Sequence, residues 1–583
     1  MKPQTRASMP RTRLLLITGA LLLCAGAVVA RAAYMQLVTE EFYQSRGNER
    51  FLREVTIATT RGMITDRNGE ALALSSPVES IVVNPQVLLT DTRNIPKLAR
   101  VLEMPVDELT RRLAQKHDKQ FMYVRRHMNP DDAKAVLDLA IPGVRSEREF
   151  RRFYPHREVM AHVVGFTNLD EHGVEGMELA FDQWLTGEPG NQKVILDRDR
   201  RIVENVDLIR PARNGKDLTL SIDRRIQYLA YSELKKSIKD NDARAGTAVV
   251  IEVKTGEVLA MVNYPSYNPN SRLAISPSLR RNAAVTDVLE PGSTMKPFTV
   301  AAALEDGIDP NMLIPTGPGK YYVAGRPISD THDYGPVDMR RLLVKSSNIA
   351  AAKLAAMMTS GHMYDVLDRF GFGERTQSGF PGESAAVLSA PNKWGPVEKA
   401  TISYGYGLSV TPLQLAQAYA ALANGGVMVD TTFVKGGSTG RHKAIDPAIS
   451  SQVLHMLEAV TETGGTATRA AIKGYRVAGK TGTSRRAVAG GYEKRYISVF
   501  AGVVPVDNPR FAMVVVVHEP SNGSYYGGLV SAPVFHNVMD GALRLMDVPP
   551  DNIEQWYAST PAAAPALATD SADEQPPDDG VMP

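Results

Sequence analysis

Residues 14–30 carry no charge at all, and this run limits what the chain can fold into more than any other feature. As a helix it would be roughly 26 Å long, close to the hydrocarbon thickness of a bilayer. Lys2, Arg6, Arg11 and Arg13 precede it with no acidic residue among them, Arg31 closes it, and Glu40 and Glu41 follow soon after. Basic flanks stay on the cytoplasmic side, so the pattern predicts a single-pass anchor over 14–33, with 1–13 in the cytoplasm and the bulk of the chain outside. A cleaved signal peptide is the rival, because Ala30-Arg31-Ala32 has small residues at cleavage spacing. The length of the run and the arginine inside that cleavage site favour the anchor. Cys24 follows bulky Leu23, which suits a small buried apolar filler better than a lipid attachment point.

Composition then removes several function classes. The 583 residues suffice for several domains, and the 43% hydrophobic and 22% charged content exclude both wholesale disorder and a polytopic membrane protein. Sixty-six basic against 64 acidic side chains leave none of the surplus a nucleic-acid binder shows. Cys24 is the only cysteine, so neither a disulfide framework nor a thiolate-cage zinc site is available. His156, His162 and His172 match no standard ligand spacing and read as solvated or core residues, so no metal or other cofactor is expected.

Along the chain, Arg61-Gly62 and Asp66-Arg67-Asn68-Gly69 supply turn chemistry between short apolar runs, and residues 96–140 take helical spacing at Leu98, Val101, Leu102, Ala133, Val136 and Leu137. Residues 226–238 predict an amphipathic helix. The runs 248–253 and 257–262 predict two strands joined at Thr255-Gly256, and 497–504 and 511–517 predict two more. Helical segments lie between the strand pairs, so an α+β domain with one antiparallel sheet covered by helices is the economical architecture. Residues 559–583 are rich in Ala, Pro and acid without Lys or Arg, which predicts a disordered tail.

Three short segments carry chemistry. Glu290-Pro291-Gly292-Ser293-Thr294-Met295-Lys296-Pro297 leads into an apolar helical run, and residues three apart share a helix face, so Ser293 and Lys296 meet without help from the rest of the fold. A lysine activates a serine only when neutral, and burial plus a second cation both lower its pKa. By itself Ser-x-x-Lys is an ordinary surface-helix spacing. Lys345-Ser346-Ser347-Asn348 precedes another apolar helical stretch and by itself would be a helix cap. Gly479-Lys480-Thr481-Gly482-Thr483 precedes the last strand pair, as an edge strand facing a cleft or as a glycine-rich turn. All three in this order make up the pattern of penicillin-recognising serine acyltransferases.

From the anchor to about residue 545 the chain resembles the class B penicillin-binding proteins, which are peptidoglycan transpeptidases. The N-terminal motifs of that class are matched by Arg61-Gly62 with Asp66-Arg67-Asn68-Gly69, by Arg152-Phe153-Tyr154-Pro155 and by Gly173-Val174-Glu175-Gly176. The resemblance implies an extended mixed α/β pedestal over 50–215 and a transpeptidase domain over 220–548. Within the class, Tyr404-Gly405-Tyr406-Gly407-Leu408-Ser409-Val410-Thr411-Pro412 and Tyr525-Tyr526-Gly527-Gly528 through Ala532-Pro533-Val534-Phe535 most resemble the septal, division-specific type, with the elongation-specific type as near rival. No glutamate-rich glycosyltransferase motif precedes Ser293, which argues against the bifunctional class. A β-lactamase would not need the anchor and pedestal, and a β-lactam sensor would need a polytopic N-terminus. A purely structural scaffold would not need every catalytic side chain.

Carried onto matching positions, the resemblance implies that Ser293 is the acyl-accepting nucleophile, Lys296 its base and Ser346 a proton relay to the leaving amine. It implies that Asn348 holds the peptide amide and that Lys480, Thr481 and Thr483, around Gly482, bind the terminal carboxylate. The backbone N–H groups of Ser293 and Thr483 would form the oxyanion hole. The implied substrates are stem peptides ending in D-Ala-D-Ala, with β-lactams as their mimics. The implied protein partners are a polytopic glycan polymerase and other division proteins, at the inner membrane with the catalytic domain in the periplasm. Arg61, Asp66 and Arg67 are candidates either for coupling modules or for a buried ion-pair network. Tyr321-Tyr322 and Tyr525-Tyr526 either line a peptide groove or pack.

Overall fold

The apolar runs at 248–251 and 512–517 lie side by side in the middle of one sheet, where burial of both faces calls for unbroken hydrophobic sequence rather than alternation. The computed structural model describes residues 11–37, 52–196, 202–271, 275–437, 440–488 and 491–552. The sheet holds β1 (Ala245–Glu252), β2 (Val258–Tyr264), β3 (Ala478–Val488), β4 (Gly491–Val504) and β5 (Phe511–His518) in the order β2-β1-β5-β4-β3. Every neighbouring pair is antiparallel, and β3 is an edge. The helices that matter here are α1 (Arg224–Asp240), α2 (Lys296–Glu305), α3 (Met339–Lys345), α4 (Asn348–Met357), α5 (Pro412–Ala423) and α6 (Ala532–Leu545). Helices α1 and α6 pack on each other and on the sheet, and α5 packs on its central strands. Both strand pairs, the helix at 226–238 and the helix-covered antiparallel sheet therefore stand where the sequence places them.

Local chemistry explains the helix ends. Asp223 caps α1 by accepting from the Arg225 N–H, and Ile226, Ala230, Leu234 and Ile238 form its buried stripe. Thr411 and Gln414 form a reciprocal capping box at the start of α5, which is buried along its whole length.

The chain divides into two compact units. The catalytic unit takes 217–583 together with 63–74 and 152–183, so the motifs at Asp66, Arg152 and Gly173 belong to it. Inside this unit the Asp66 carboxylate accepts from the backbone N–H groups of Asn68, Glu70 and Arg224, Asn68 donates to Asp223, and Arg67 pairs with Glu257 at 3.1 Å. Of the two alternatives for Asp66 and Arg67, the buried charge network is the one these contacts describe. Arg61, in the other unit, donates to the Thr186 hydroxyl.

That other unit takes 1–62, 75–151 and 184–216. It has a three-stranded antiparallel sheet of Leu52–Ile57, Gly190–Leu196 and Ile202–Arg210. Its core forms around Ile81, Val83, Leu98, Leu109, Leu113, Met122 and Val136, with the helices Asn94–Val101, Val106–Gln115 and Pro130–Leu137 supplying the apolar stripes read from the sequence. The anchor run is a continuous helix, Arg11–Leu37, with mean hydropathy 2.2 over its most apolar window and no residue buried by protein. Cys24 is exposed on it rather than buried against protein. Lys2, Arg6 and the expected tail at 559–583 lie outside the described residues.

Candidate active site

The nucleophile segment begins as a 3-10 turn, Gly292–Met295, that runs into α2 at Lys296. The sequence predicts a plain helix start. The tighter turn serves the site better, because in 3-10 geometry side chains three apart eclipse. Ser293 Oγ and Lys296 Nζ accordingly lie 2.9 Å apart, with Ser293 half-buried and Lys296 fully buried.

Lys296 Nζ has three further oxygen neighbours: the Ser346 carbonyl at 2.5 Å, Asn348 Oδ1 at 2.8 Å and Ser346 Oγ at 3.2 Å. Two of these, the carbonyl and the amide oxygen, can only accept. A neutral amine has two N–H bonds for those two acceptors and one lone pair left over. The nearer hydroxyl, Ser293, is where that lone pair finds a proton. An ammonium group would have no lone pair to offer.

Electrostatics favours the neutral form. Among the described residues neither Lys296 nor Lys480 has a carboxylate in ion-pair contact. Burial pushes the Lys296 pKa well down, the charge on Lys480 pushes it further, and the more distant Asp330 opposes them. Lys480, also fully buried, is pushed down to about 7 by burial alone. It donates to Ser346 Oγ at 2.9 Å and to the Thr481 carbonyl at 3.2 Å. Ser346 Oγ thus sits between the two amines.

The middle segment combines both of the roles its sequence suggests. Ser347 is the helix cap, its Oγ accepting from the Ala350 N–H at 3.0 Å. Ser346, in the left-handed region at φ 58°, and Asn348 flank that cap and turn toward the lysines. On edge strand β3, Lys480 pairs with Ala501, Thr481 with Phe500, Gly482 with Val499 and Thr483 with Ser498. The Thr481 hydroxyl meets that of Thr466 at 3.1 Å, and Thr483 Oγ1 accepts from the Gly527 N–H at 3.2 Å. Hydrogen bonds thus join Ser293, Lys296, Ser346, Asn348 and Lys480 directly, and Thr481, Gly482 and Thr483 continue the same strand.

Three supports were not legible as such. Asp330 accepts from the Asn348 N–H at 2.6 Å, from the Ile349 N–H at 3.2 Å and from the Ser347 hydroxyl at 2.5 Å, so it fixes the start of α4 and with it Asn348. The 404–412 motif braces the nucleophile turn: Gly292 N–H donates to the Gly405 carbonyl, Gly407 N–H donates to Glu290, and Leu289 bridges Val410. Gly405 has φ +89°, and a Cβ there would lie 2.0 Å from the Gly292 carbonyl oxygen, so only glycine fits. Tyr419 on α5 is fully buried and donates to the Thr294 carbonyl at 2.9 Å, which holds the turn from below.

In each aromatic pair one ring packs and the other is exposed. Tyr321 packs with Ile328 and Ile349, while Tyr322 is exposed. Tyr525 stacks on Tyr496 at 3.9 Å, and Tyr526 is exposed. His162 is a core residue bonded to the Leu279 carbonyl and pushed down to about 4 by burial, and His172 is exposed 3.6 Å from Asp182.

Comparison with known proteins agrees over nearly the whole length. The penicillin binding protein transpeptidase domain matches residues 246–540, and the penicillin-binding protein dimerisation domain matches 56–220. The chain is 41% identical over 548 residues to the peptidoglycan D,D-transpeptidase FtsI of Escherichia coli strain K12, which covers 92% of each protein. Among solved structures, the transpeptidase domain of penicillin-binding protein 3 from Burkholderia pseudomallei is 41% identical with a TM-score of 0.53, over 57% of this chain and 97% of that one. A peptidoglycan synthetase from Bifidobacterium adolescentis is 26% identical with a TM-score of 0.67, over 86% of this chain and 98% of that one.

Proposed function

The chain belongs to the class B penicillin-binding protein family, and from that membership we propose that Ser293 is the acyl-accepting nucleophile of a septal peptidoglycan D,D-transpeptidase. The enzyme crosslinks stem peptides through a serine acyl-enzyme formed on D-Ala-D-Ala, and β-lactams acylate it in the same way. One observation carries the residue assignment: a fully buried Lys296, in ion-pair contact with no carboxylate among the described residues, stands 2.9 Å from the Ser293 hydroxyl.

The geometry supports the following steps. Neutral Lys296 takes the Ser293 proton as Oγ attacks the carbonyl carbon of the penultimate D-alanine. Charge gathers on the carbonyl oxygen, where the backbone N–H groups of Ser293 and Thr483 receive it; each such donor is worth about 10² to 10³ in rate. Ser346, 2.9 Å from Lys480 and 3.2 Å from Lys296, passes a proton to the nitrogen of the departing D-alanine. The C–N bond breaks and the ester on Ser293 remains. An amine from a second stem peptide attacks that ester, and the proton path runs in reverse. Asn348 holds the donor amide, while Lys480, Thr481 and Thr483 hold the terminal carboxylate around Gly482.

Labelling the membrane-bound protein with a fluorescent penicillin tests the assignment. Ser293→Ala abolishes the covalent label while the protein stays folded; a label that persists on that variant sinks it.

The apolar Arg11–Leu37 helix makes the protein membrane-anchored. Its basic leading end supports a cytoplasmic N-terminus and a periplasmic catalytic domain at the inner membrane. Residues 50–215 supply the pedestal, apart from 63–74 and 152–183, which belong to the compact unit of the catalytic site, and 220–548 supply the transpeptidase domain. A crosslinking enzyme without its own polymerase needs nascent strands delivered locally, which supports recruitment of a polytopic glycan polymerase and other division proteins. Exchanging the anchor for an unrelated one leaves β-lactam acylation intact and weakens midcell recruitment, and depletion gives filaments. Rounded cells on depletion would assign the elongation role instead.

A further inference from the structure

Within the catalytic unit a cavity of about 370 Å³ is lined by the motif residues Val174, Glu175 and Gly176 together with Tyr267, Arg280 and Phe380, and by none of the residues assigned to the cleft. Its volume lies in the range of small-molecule sites, about 300–1,000 Å³. Most of its polar groups are already engaged. The Tyr267 hydroxyl donates to the Ala161 carbonyl, Asn282 bonds Asn263 and the His162 carbonyl, His162 bonds the Leu279 carbonyl, and Arg281 pairs with Asp287 at 2.9 Å.

Two groups remain. The Arg280 guanidinium is half-buried, its Nε has no partner, and no described residue accepts from it. The half-buried Glu175 carboxylate likewise bonds no described residue. Burial raises the Glu175 pKa and the nearby Arg280 charge offsets part of that rise, yet the two are not in ion-pair contact.

An anion bound here would satisfy Arg280 and leave Glu175 opposing it, a cation would do the reverse, and a neutral apolar guest would desolvate both charges without pairing either. A ligand with a carboxylate for the guanidinium fork and an ammonium for Glu175 pairs both. We propose that this cavity binds a small zwitterion, a free amino acid or the amino-acid end of a cell-wall peptide. Asn282 and Thr286, which also line it, flank and end the short helix Ala283–Thr286, and Leu289 just beyond enters the brace on the nucleophile turn. Occupancy therefore stiffens the segment that leads to Ser293.

The test uses the full chain in detergent after acylation by benzylpenicillin, verified by intact mass, so that the cleft is filled and failure of the Ser293 assignment is read separately. D-alanine, N-acetyl-D-alanine and D-alaninamide are titrated calorimetrically. D-alanine binds saturably, and each singly charged probe binds at least about tenfold more weakly. Arg280→Met, which removes no side-chain hydrogen bond to a described residue, and Glu175→Gln each weaken D-alanine by a similar factor. Tighter binding of a stem pentapeptide than of D-alanine assigns the cell-wall source; equal or weaker binding assigns the free amino acid. No saturable binding of either zwitterion at millimolar concentration, or binding undiminished in Arg280→Met, overturns the proposal.

Discussion

Two places in the catalytic unit bury ionisable side chains, and they do it in opposite ways. At Arg152 and Glu178 both side chains are completely buried, but Nε and Oε1 are 2.6 Å apart and the Tyr154 hydroxyl stands beside them. At Lys296 and Lys480 two lysine amines are equally buried, with hydroxyl, carbonyl and amide oxygens around them and no carboxylate in contact among the described residues. A buried charge held by its partner serves to fix the fold. A buried cation without one gives up its proton easily, which is useful only where a proton must be taken. The same burial thus makes a structural element in one place and a general base in the other.

The contrast is broken most severely at the base. Lys296→Arg keeps the approximate reach but cannot become neutral, so second-order acylation by penicillin, per folded molecule, falls by about 10²- to 10⁴-fold, and the permanent charge it buries lowers the melting temperature as well. Near-normal acylation by that variant at neutral pH would show that Lys296 is not the base. At the paired site the outcome inverts. Glu178→Gln leaves the Arg152 charge buried without its carboxylate, which costs about 3–5 kcal/mol of stability in denaturant titration, whereas acylation per folded molecule stays close to that of the parent. Loss of acylation without loss of stability would place Glu178 in the chemistry instead.

This division of labour was partly legible in the sequence, and the reason is range. Ser293 and Lys296 are three apart, and their meeting follows from helical periodicity alone. Their need for a second cation follows from lysine chemistry, and Lys480 supplies it from a motif at a recognisable strand edge. The five-stranded sheet was legible because both of its central strands are unbroken apolar runs. Asp330 was not, since two of its three partners are backbone N–H groups 18 and 19 residues further on, and no local window joins it to them or to the Ser347 hydroxyl. The grouping of 63–74 and 152–183 with the catalytic unit was equally hidden, because it rests on pairings such as Ile64 with Leu218 that no local window contains. The turn at Ser293 is 3-10 rather than α because the 404–412 brace and Tyr419 hold it there, and both act from more than 100 residues away.

Asp330 sharpens the comparison further, since it is the acid the cleft keeps at one remove. Asp330→Asn loosens the start of α4 and lowers the acylation rate about tenfold, about 1.4 kcal/mol, with little change in melting temperature. Restoration by Asp330→Glu would separate a positioning role from a purely structural one.

The smallest effect is also the most diagnostic, because two neighbours bias Lys296 in opposite directions. The rate requires Lys296 neutral, so it is lost as pH falls through the Lys296 pKa, and it requires Lys480 charged, so it declines as pH rises past about 7 in the free enzyme. The Lys480 cation lowers the Lys296 pKa and the Asp330 anion raises it. Lys480→Met therefore moves the acid limb to higher pH and removes the decline above about 7, at a reduced maximum rate. Asp330→Asn moves the acid limb to lower pH. Steric damage alone would lower the rate at every pH and leave the limb in place. Opposite displacements from the two neutralised charges thus require that the titrating group is an amine lying between them, and coincident limbs in both variants would remove Lys296 from that role.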